Sequence, residues 1–421
     1  MVDEISGDNL EQYVRKLAGF HTRHNLSVQD DPVRGIGAAW NWIKAEMEKN
    51  IPASGGRLQV RFEEYSVGGQ GQRIPNEIKL RNVVATLKGT DPEDDRIIMM
   101  SAHLDSRATA DSDNTGYAPG ADDDASGVAA ILELLRIMAP QKFPATIVLM
   151  ALSGEEHGLY GAQHMADKAL EENWNIIALL NNDMIGNSTS SETLLGDNMR
   201  VRIFSEGVPA FETEQMASLR RYTAGENDGK ARQLARYIKE VGERYVDQLN
   251  VTLVYRNDRF GRGGDHTPFC QNGFTAVRIT EFNENYNNQH KVPEVVNGVQ
   301  QGDLPEFVDY EYVKKNAGIN LAVIANLALA PYEPANCGIV TSQGNSTTLR
   351  WETPENGVPP AGYYILMRET YQPLWERKIF VKGNEATLPY SKDNYFFGIQ
   401  AVDASGHESP VVFPGPARRR Q

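Results

Sequence analysis

The sequence predicts an α/β protein: a mixed, largely parallel central sheet with helices on both faces over residues 1–332, followed by a small all-β sandwich over residues 333–421. Three observations predict it. From about residue 10 to residue 330, apolar strand-like runs alternate with longer stretches of helical period. Three runs, Arg96–Ala102, Thr146–Leu152 and Ile176–Leu180, are almost continuously apolar, as strands covered on both faces are. Beyond Pro334 short strands are separated by Pro and Gly turns, which places a boundary within residues 331–337.

Leu58–Tyr65 and Asn82–Lys88 alternate apolar and polar residues, the pattern of half-covered or edge strands. Gly127–Met138 is apolar at helical spacing and stops before Pro140, and Asp228–Leu249 and Glu311–Ala330 read as further amphipathic helices. A later strand is expected at Phe274–Thr280. In the tail, Thr348–Trp351 precedes Pro354, Tyr363–Arg368 follows, and Tyr395–Val402 runs into a turn at Asp403–Ser409. A Trp before a Pro turn and an aromatic-rich late strand resemble a fibronectin type III sandwich. The tail carries no catalytic residue types in a pattern, so it is expected to stabilise the protein or to bind a surface or another protein.

At 421 residues the chain is long enough for two domains, and 40% hydrophobic with 23% charged residues is a globular balance. The excess of 56 acidic over 42 basic side chains, net −14, argues against nucleic acid as a partner, since neutralising phosphates needs a basic face. No run approaches the ~20 apolar residues of a membrane span. The start, Met1-Val2-Asp3-Glu4, is not a basic and apolar targeting segment, so the protein is either cytosolic or has lost a signal. The reading taken is a secreted or periplasmic protein. Cys270 and Cys337 could form a disulfide or stay as thiols, and the apolar surroundings of Cys270 favour thiols.

Chemistry enters where acidic residues and histidines follow the apolar runs. His103 and Asp105 follow the first, Glu155 and Glu156 the second, and Asp183 the third. In an open parallel sheet the carboxyl ends of strands share one edge, where ligands bind. Between the first two runs lies Gly120-Ala-Asp-Asp-Asp-Ala-Ser-Gly127, leading into a helix. Asp at a helix start is ordinarily a cap, and a Glu pair is ordinarily an exposed helix start. Gathered on one rim with a His, such charge is costly to bury unless a multivalent cation neutralises it. Oxygen and nitrogen donors without Cys suit zinc in a catalytic site, with manganese or cobalt as substitutes.

These motifs resemble the zinc aminopeptidases of peptidase family M28. His103-Leu-Asp105, Gly120–Gly127, Gly154-Glu-Glu-His-Gly158 and Asp183 stand in the family's order and at similar intervals, across about residues 80–300. The resemblance implies a zinc exopeptidase fold holding two Zn2+ per chain, with His103, Asp123, Glu156, Asp183 and His290 as metal ligands. Asp123 would bridge both metals and be followed by a cis peptide. Glu156 would join His103 on one metal, with Asp183 on the other. Asp105 would orient His103, and Glu155 would act as general base on a water shared by the metals. For the last ligand, His290 is preferred over His266, because in the family the ligand follows the last strand; His290-Lys-Val-Pro-Glu294 departs from the usual His-Thr-x-x-Asp. Tyr286 and Arg262 are candidates for holding the oxyanion. His157 reads as a helix-start or pocket-wall residue, and His21, His24, His164 and His407 as surface residues.

The expected activity is that of an aminopeptidase acting on peptides with a free amino terminus. The surplus of carboxylates favours a substrate ammonium. A carboxypeptidase would instead need a positive clamp beside the metals, for which Arg259 and Arg262 are available. The other readings are a glutaminyl cyclase-like acyltransferase using a single zinc on the same fold, and a catalytically silent ectodomain working through its tail. A full set of ligands for two metals speaks against the first of these and the presence of Glu155 against the second.

Overall fold

The computed structural model describes residues 1–108 and 110–417. Its main body is an eight-stranded mixed sheet built from β1 (Leu58–Val67), β2 (Ile78–Leu87), β3 (Arg96–His103), β4 (Thr146–Leu152), β5 (Asn175–Asn182), β6 (Arg200–Phe204), β7 (Asn250–Val254) and β8 (Ala276–Glu281). The strand order is β1-β2-β4-β3-β5-β8-β6-β7. The four central strands β4, β3, β5 and β8 are mutually parallel, β1 and β2 join antiparallel at one side, and β6 turns antiparallel to β8 at the other. The carboxyl ends of β3, β4, β5 and β8 therefore open on one edge.

Because successive strand residues point to opposite faces, each central strand feeds two cores. Ile98, Met100 and Ala102 of β3 enter the larger core with α1 (Gly7–Ala18), α2 (Gly35–Glu48), α3 (Ala125–Met138) and two later helices. Met99, Val148 and Leu179 enter the smaller core on the opposite face, with α4 (Tyr160–Glu171) and, further along the chain, Phe269 and Cys270. Beyond α4 the chain forms α5 (Glu214–Thr223), α6 (Lys230–Tyr245), α7 (His266–Gln271) and α8 (Tyr310–Leu329), the last lying in the larger core.

The structure differs from the sequence reading mainly at element ends. The helix expected over Asp228–Leu249 is α6, capped by Gly229; its end at Tyr245 leaves Val246 extended, so the chain can return as strand β7. Asp228 falls outside the helix because its carboxylate has another use, described below. The strand expected at Phe274–Thr280 is β8, shifted to Ala276–Glu281. Strands β6 and β7 are five residues each, two of them polar in either strand, and lack the continuous apolar run that marks β3, β4 and β5. Cys270 is buried, Cys337 half-buried, and both are free thiols. Among the described residues no helix is long and apolar enough to cross a membrane.

After α8 and a short hairpin of β9 (Val295–Val296) and β10 (Val299–Gln300) that precedes it, the chain from Ala335 forms seven strands: β11 (Ala335–Ile339), β12 (Thr347–Glu352), β13 (Gly362–Glu369), β14 (Arg377–Val381), β15 (Glu385–Leu388), β16 (Tyr395–Val402) and β17 (Gly415–Pro416). They make a four-stranded sheet, β15-β12-β11-β17, and a three-stranded sheet, β14-β13-β16. Leu349 and Trp351 from one sheet share a core with Tyr363, Ile365, Phe397 and Ile399 from the other.

These strands are tied to α6 by a buried charge cluster. Asp228 receives Arg236 Nη1 at 3.1 Å and Arg368 Nη2 of β13 at 2.6 Å, and both guanidinium groups are almost wholly buried. Trp375 donates to Gln233 and Tyr237 donates to the Glu408 carbonyl across the same interface. Removing one member of a buried ionic cluster leaves the others uncompensated. Asp228→Ala is therefore expected to destabilise the protein by about 3–5 kcal/mol, read as a lowered midpoint in denaturant; a midpoint equal to wild type would refute this role.

Candidate metal centre

Three of the strand ends at the open edge, those of β3, β4 and β5, each deliver one part of the centre. His103 is the last residue of β3, Asp183 follows β5 directly, and Glu155 and Glu156 lie in the turn after β4. The three consecutive aspartates precede α3 and do three different things. Asp124 caps α3 through the Gly127 N–H (3.1 Å) and also receives the N–H of His103 (3.0 Å) and Met184 (3.2 Å), fastening the ends of β3 and β5 to the helix. Asp122 turns away and accepts from the Gly186 N–H at 2.7 Å. Asp123 alone faces the histidines, and the Asp123–Asp124 peptide is cis.

Two donor groups share Asp123. His103, Asp123 and Asp183 form one, and Asp123, Glu156 and His290 the other, with the donor atoms of each lying within 4.8 Å of one another. Asp123 Oδ1 stands 3.0 Å from His103 Nε2, and Asp123 Oδ2 stands 3.0 Å from His290 Nε2, so its two oxygens face different histidines. Glu156 Oε1 is 2.8 Å from His290 Nε2, while Asp183 Oδ1 is 3.9 Å from His103 Nε2. The expected pairing of Glu156 with His103 is therefore corrected. The β5 end lies beside β3 in the sheet and supplies Asp183 to His103, whereas the β4 turn carries Glu156 over to the loop holding His290.

His266 belongs to neither group; its Nε2 lies 3.0 Å from the Asn257 carbonyl. Asp105 stands beside His103, its carboxylate Oδ1 3.7 Å from His103 Nδ1. Its main-chain carbonyl lies 3.0 Å from His103 Nδ1, while its carboxylate accepts the N–H groups of Gly154 (3.0 Å), Glu155 (3.3 Å) and Glu156 (3.1 Å) and the Asn25 amide (2.6 Å). It thus orients the histidine through its backbone and shapes the turn that carries both glutamates through its side chain.

Sequence reasoning missed the residues that hold these loops, because they lie far away in the chain. Buried Arg23 donates to the carbonyls of Leu104 (2.6 Å), Pro119 (2.5 Å) and Gly120 (2.8 Å), linking the loop after His103 to the aspartate loop. A Cβ at Gly120 would stand 2.8 Å from Arg23 Nη2 and 2.6 Å from the Asp123 carbonyl, and φ there is +51°. Asp303 accepts the N–H of Asp122 and of Asp123, each at 2.8 Å. Arg107 pairs with Glu156 at 2.8 Å and Arg278 with Asp183 at 3.0 Å. None of these long-range partners has a motif spacing that would reveal it.

His24, expected at the surface, is fully buried: its ring meets His157 edge-on at 4.6 Å, and both rings approach the Asp111 carbonyl. His164 is half-buried, stacked on Tyr65 at 4.8 Å, and half-buried His407 pairs with Asp403. His21 is exposed. Of the candidates for oxyanion or substrate contact, Tyr286 and Arg262 are exposed, and Arg259 is engaged by Asp258 and Glu284.

The electrostatics follow from burying many carboxylates together. Burial pushes the Glu155 carboxyl well above the usual range, opposed by His103 and reinforced by Asp183, Glu156 and Asp265. Burial likewise lifts Asp265 to about 7 and, with Asp122 adding to it, Asp303 to about 8. At Asp183 burial acts upward, but Arg278 and His103 outweigh it and hold the group at about 2. Burial acts to lower His290, yet Glu156 and Asp123 raise it to about 10. A site that draws protons onto its histidines and acids is a site short of positive charge. Moreover, His103 Nε2 and Glu156 Oε1 are buried and face Asp123 Oδ1 and His290 Nε2 at 3.0 Å and 2.8 Å without the alignment of a hydrogen bond. Two imidazoles and three carboxylates, with no thiolate, around one shared aspartate fit a pair of borderline divalent metals such as zinc.

The chain is similar to known proteins in sequence and in fold. The model of peptidase family M28 matches residues 82–307. A probable zinc metalloprotease of Leptosphaeria maculans is 43% identical over 418 residues, 99% of this chain and 96% of that protein. Among solved structures, the LapA aminopeptidase of Legionella pneumophila superposes with a TM-score of 0.55 at 19% identity, over 78% of this chain and 72% of that one. The glutaminyl cyclase of Fimbriiglobus ruber superposes with a TM-score of 0.50 at 16% identity, over 76% of this chain and 95% of that one. At those identities the two structures establish the zinc exopeptidase fold alone. With a family model matched over more than half its length and a relative this similar from end to end, the chain belongs to peptidase family M28.

Proposed function

We propose that the protein is a zinc-dependent aminopeptidase that binds two zinc ions per chain and removes residues from the free amino end of peptides. The observation that carries this reading is the sharing of Asp123 between two complete donor groups, with Glu155 beside both. In this reading His103, Asp123 and Asp183 hold one ion, and Asp123, Glu156 and His290 hold the other. Zinc bound there would supply Lewis acidity, lowering the pKa of a water and polarising the carbonyl of the scissile bond.

The chain's own residues do the rest. The Glu155 carboxylate, free of hydrogen bonds to other described residues, accepts a proton from the attacking water and returns it to the departing amine. Asp105 keeps that glutamate in place by binding its main-chain N–H, and it fixes the His103 ring through its carbonyl. Asp303 and Arg23 keep the Asp123 loop from relaxing away from its partners.

The direction of attack is argued from charge. The arginines nearest the donor groups are already engaged, Arg107 by Glu156 and Asp111, Arg278 by Asp183 and Asp258. Arg259, the stronger candidate for a carboxylate clamp, is taken by Asp258 and Glu284. What remains near Glu155 is a surplus of carboxylates, which favours a substrate ammonium over a terminal carboxylate. The C-terminal strands, in this reading, form a fibronectin type III-like module with no part in the chemistry.

Three measurements test the proposal. Protein stripped by chelator and reloaded with zinc is expected to plateau at two equivalents by elemental analysis; a plateau at one would favour a single-zinc cyclase. Glu155→Gln is expected to keep its zinc and its fold while losing turnover by at least ~100-fold, and turnover equal to wild type would sink the general-base role. Leu-p-nitroanilide is expected to be cleaved and its amino-acetylated form to resist, whereas rapid cleavage of the acetylated substrate would refute the aminopeptidase direction and leave the metal site standing.

A further inference from the structure

The loop after β3, which carries Arg107 and Asp111, rests on a buried pair of histidines. His24 and His157 are fully buried, with ring centroids 4.6 Å apart in an edge-on arrangement. The Nε2 atoms of both approach one acceptor, the Asp111 carbonyl, at 2.9 Å and 3.0 Å. The far side of each ring assigns its proton. His24 Nδ1 accepts the main-chain N–H of Leu26 at 3.1 Å, and such a nitrogen only donates. His157 Nδ1 lies 2.9 Å from Asn25 Nδ2, and that amide is oriented by Asp105, whose Oδ2 accepts from the same nitrogen at 2.6 Å. Each ring therefore accepts at Nδ1 and carries its proton at Nε2, so that two N–H groups meet the two lone pairs of one carbonyl. Burial, with His157 adding to it, lowers the His24 imidazole below its ordinary value, in keeping with the neutral ring.

Asp111 passes this hold on to the site. Its carboxylate pairs with Arg107 and, at 2.8 Å, with Arg73. Arg107 Nε in turn donates to Glu156 Oε2 at 2.8 Å, and Arg107 Nη2 lies 3.1 Å from His290 Nδ1. The segment before α2 bears the rest of the loop, since Asn114 donates to the Leu26 carbonyl at 2.7 Å and the Ala118 N–H to the His21 carbonyl at 2.9 Å. Resting on the reading of Glu156 and His290 as metal ligands, we propose that His24 is a positioning residue: with His157 it holds the Asp111 carbonyl, and so keeps the loop after β3 against the metal centre with Arg107 set on Glu156 and His290. The physical cause is the cost of opening. A loop that lifts away strands two buried N–H groups, one on each imidazole, with no acceptor in reach. Arg107 does not supply the hold itself, because its side chain is 20% exposed and water can replace its partners.

The experiment is limited trypsin digestion of the zinc-loaded full chain, followed at the bond after Arg107, beside turnover of Leu-p-nitroanilide. Wild type is expected to resist cleavage at that bond, and rapid cleavage there overturns the inference without any variant. His24→Leu, which removes the N–H, should be cleaved at least about tenfold faster and lose at least about tenfold in kcat/KM, the scale of leaving a buried acceptor short of a donor. His24→Gln, which keeps an N–H where Nε2 stands, should stay within about threefold of wild type in both. A residue that merely filled the core would tolerate leucine better than glutamine, so that order overturns the inference, as does unchanged cleavage in a folded His24→Leu. Because His24 acts through Arg107, adding His24→Leu to Arg107→Met should cost no more than about twofold in turnover beyond Arg107→Met alone, and losses that multiply overturn it. If His24→Leu does not fold, wild-type digestion and His24→Gln decide, since rapid cleavage in either refutes the hold. If wild type does not turn over Leu-p-nitroanilide, the aminopeptidase reading fails and the digestion alone decides this inference.

Discussion

The structure is organised around the burial of carboxylates that lack enough cations to balance them. Asp105, Asp122, Asp123, Asp124, Glu156, Asp183, Asp265, Glu281 and Asp303 are all buried at one edge of the sheet. Buried charge is tolerated only when it is paired or hydrogen-bonded, and most of these side chains meet that condition through main-chain amides. Asp105 takes three amides from the turn after β4, Asp303 takes two from the aspartate loop, and Asp124 takes three from β3, α3 and the segment after β5. The carboxylates that hold loops are thus separated in function from those that face one another around Asp123. The first set gives rigidity to the second, because the segments carrying His103, Asp123, Glu156 and Asp183 are each fixed by another acid.

That division explains why the fold suits the site. Parallel strands place their carboxyl ends together, so His103, the β4 turn and Asp183 converge without long loops. The aspartate loop must cross from β3 to α3 above this edge, and Arg23 fills the space beneath it by donating to carbonyls on both sides. Gly120 is required there, since a side chain would collide with the Asp123 carbonyl and the arginine at a positive φ. Fine positioning in the site therefore depends on a residue from the first turn region of the chain, long before any donor.

The sequence was legible where local chemistry sufficed. Continuous apolar runs identify β3, β4 and β5, since strands covered on both faces have no polar side to alternate with. The acidic residues just after those runs locate His103, Glu155, Glu156 and Asp183, and the Asp repeat before α3 locates Asp123. It was illegible where partners are distant or where an element has little apolar content. Strands β6 and β7 carry Arg200, Arg202, Asn250 and Thr252 among their few residues, and no strand was expected at either. Arg278 lies inside a strand buried along its whole length, where a buried arginine has no periodic signature, and Asp303 lies in an irregular loop. Which histidine shares which carboxylate also depends on strand order rather than chain order, so the pairing of Glu156 with His290 required the sheet.

The C-terminal strands meet the main body far from this edge. Arg96, at the amino end of β3, donates to the carbonyls of Ala330 and Pro331, and Tyr332 donates to Asp95 just before that strand. The junction thus begins at the end of β3 opposite His103, about eight residues of strand away at ~3.3 Å each. Further contacts run along α6, through Asp228, Arg236 and Tyr237, which itself packs on α8 and β7. None of the residues in this junction is among those that hold the aspartate loop or the β4 turn. The physical consequence is that the tail bears on the site through the stability of the sheet and of α6, by covering charges that would otherwise be left uncompensated, rather than by touching the chemistry.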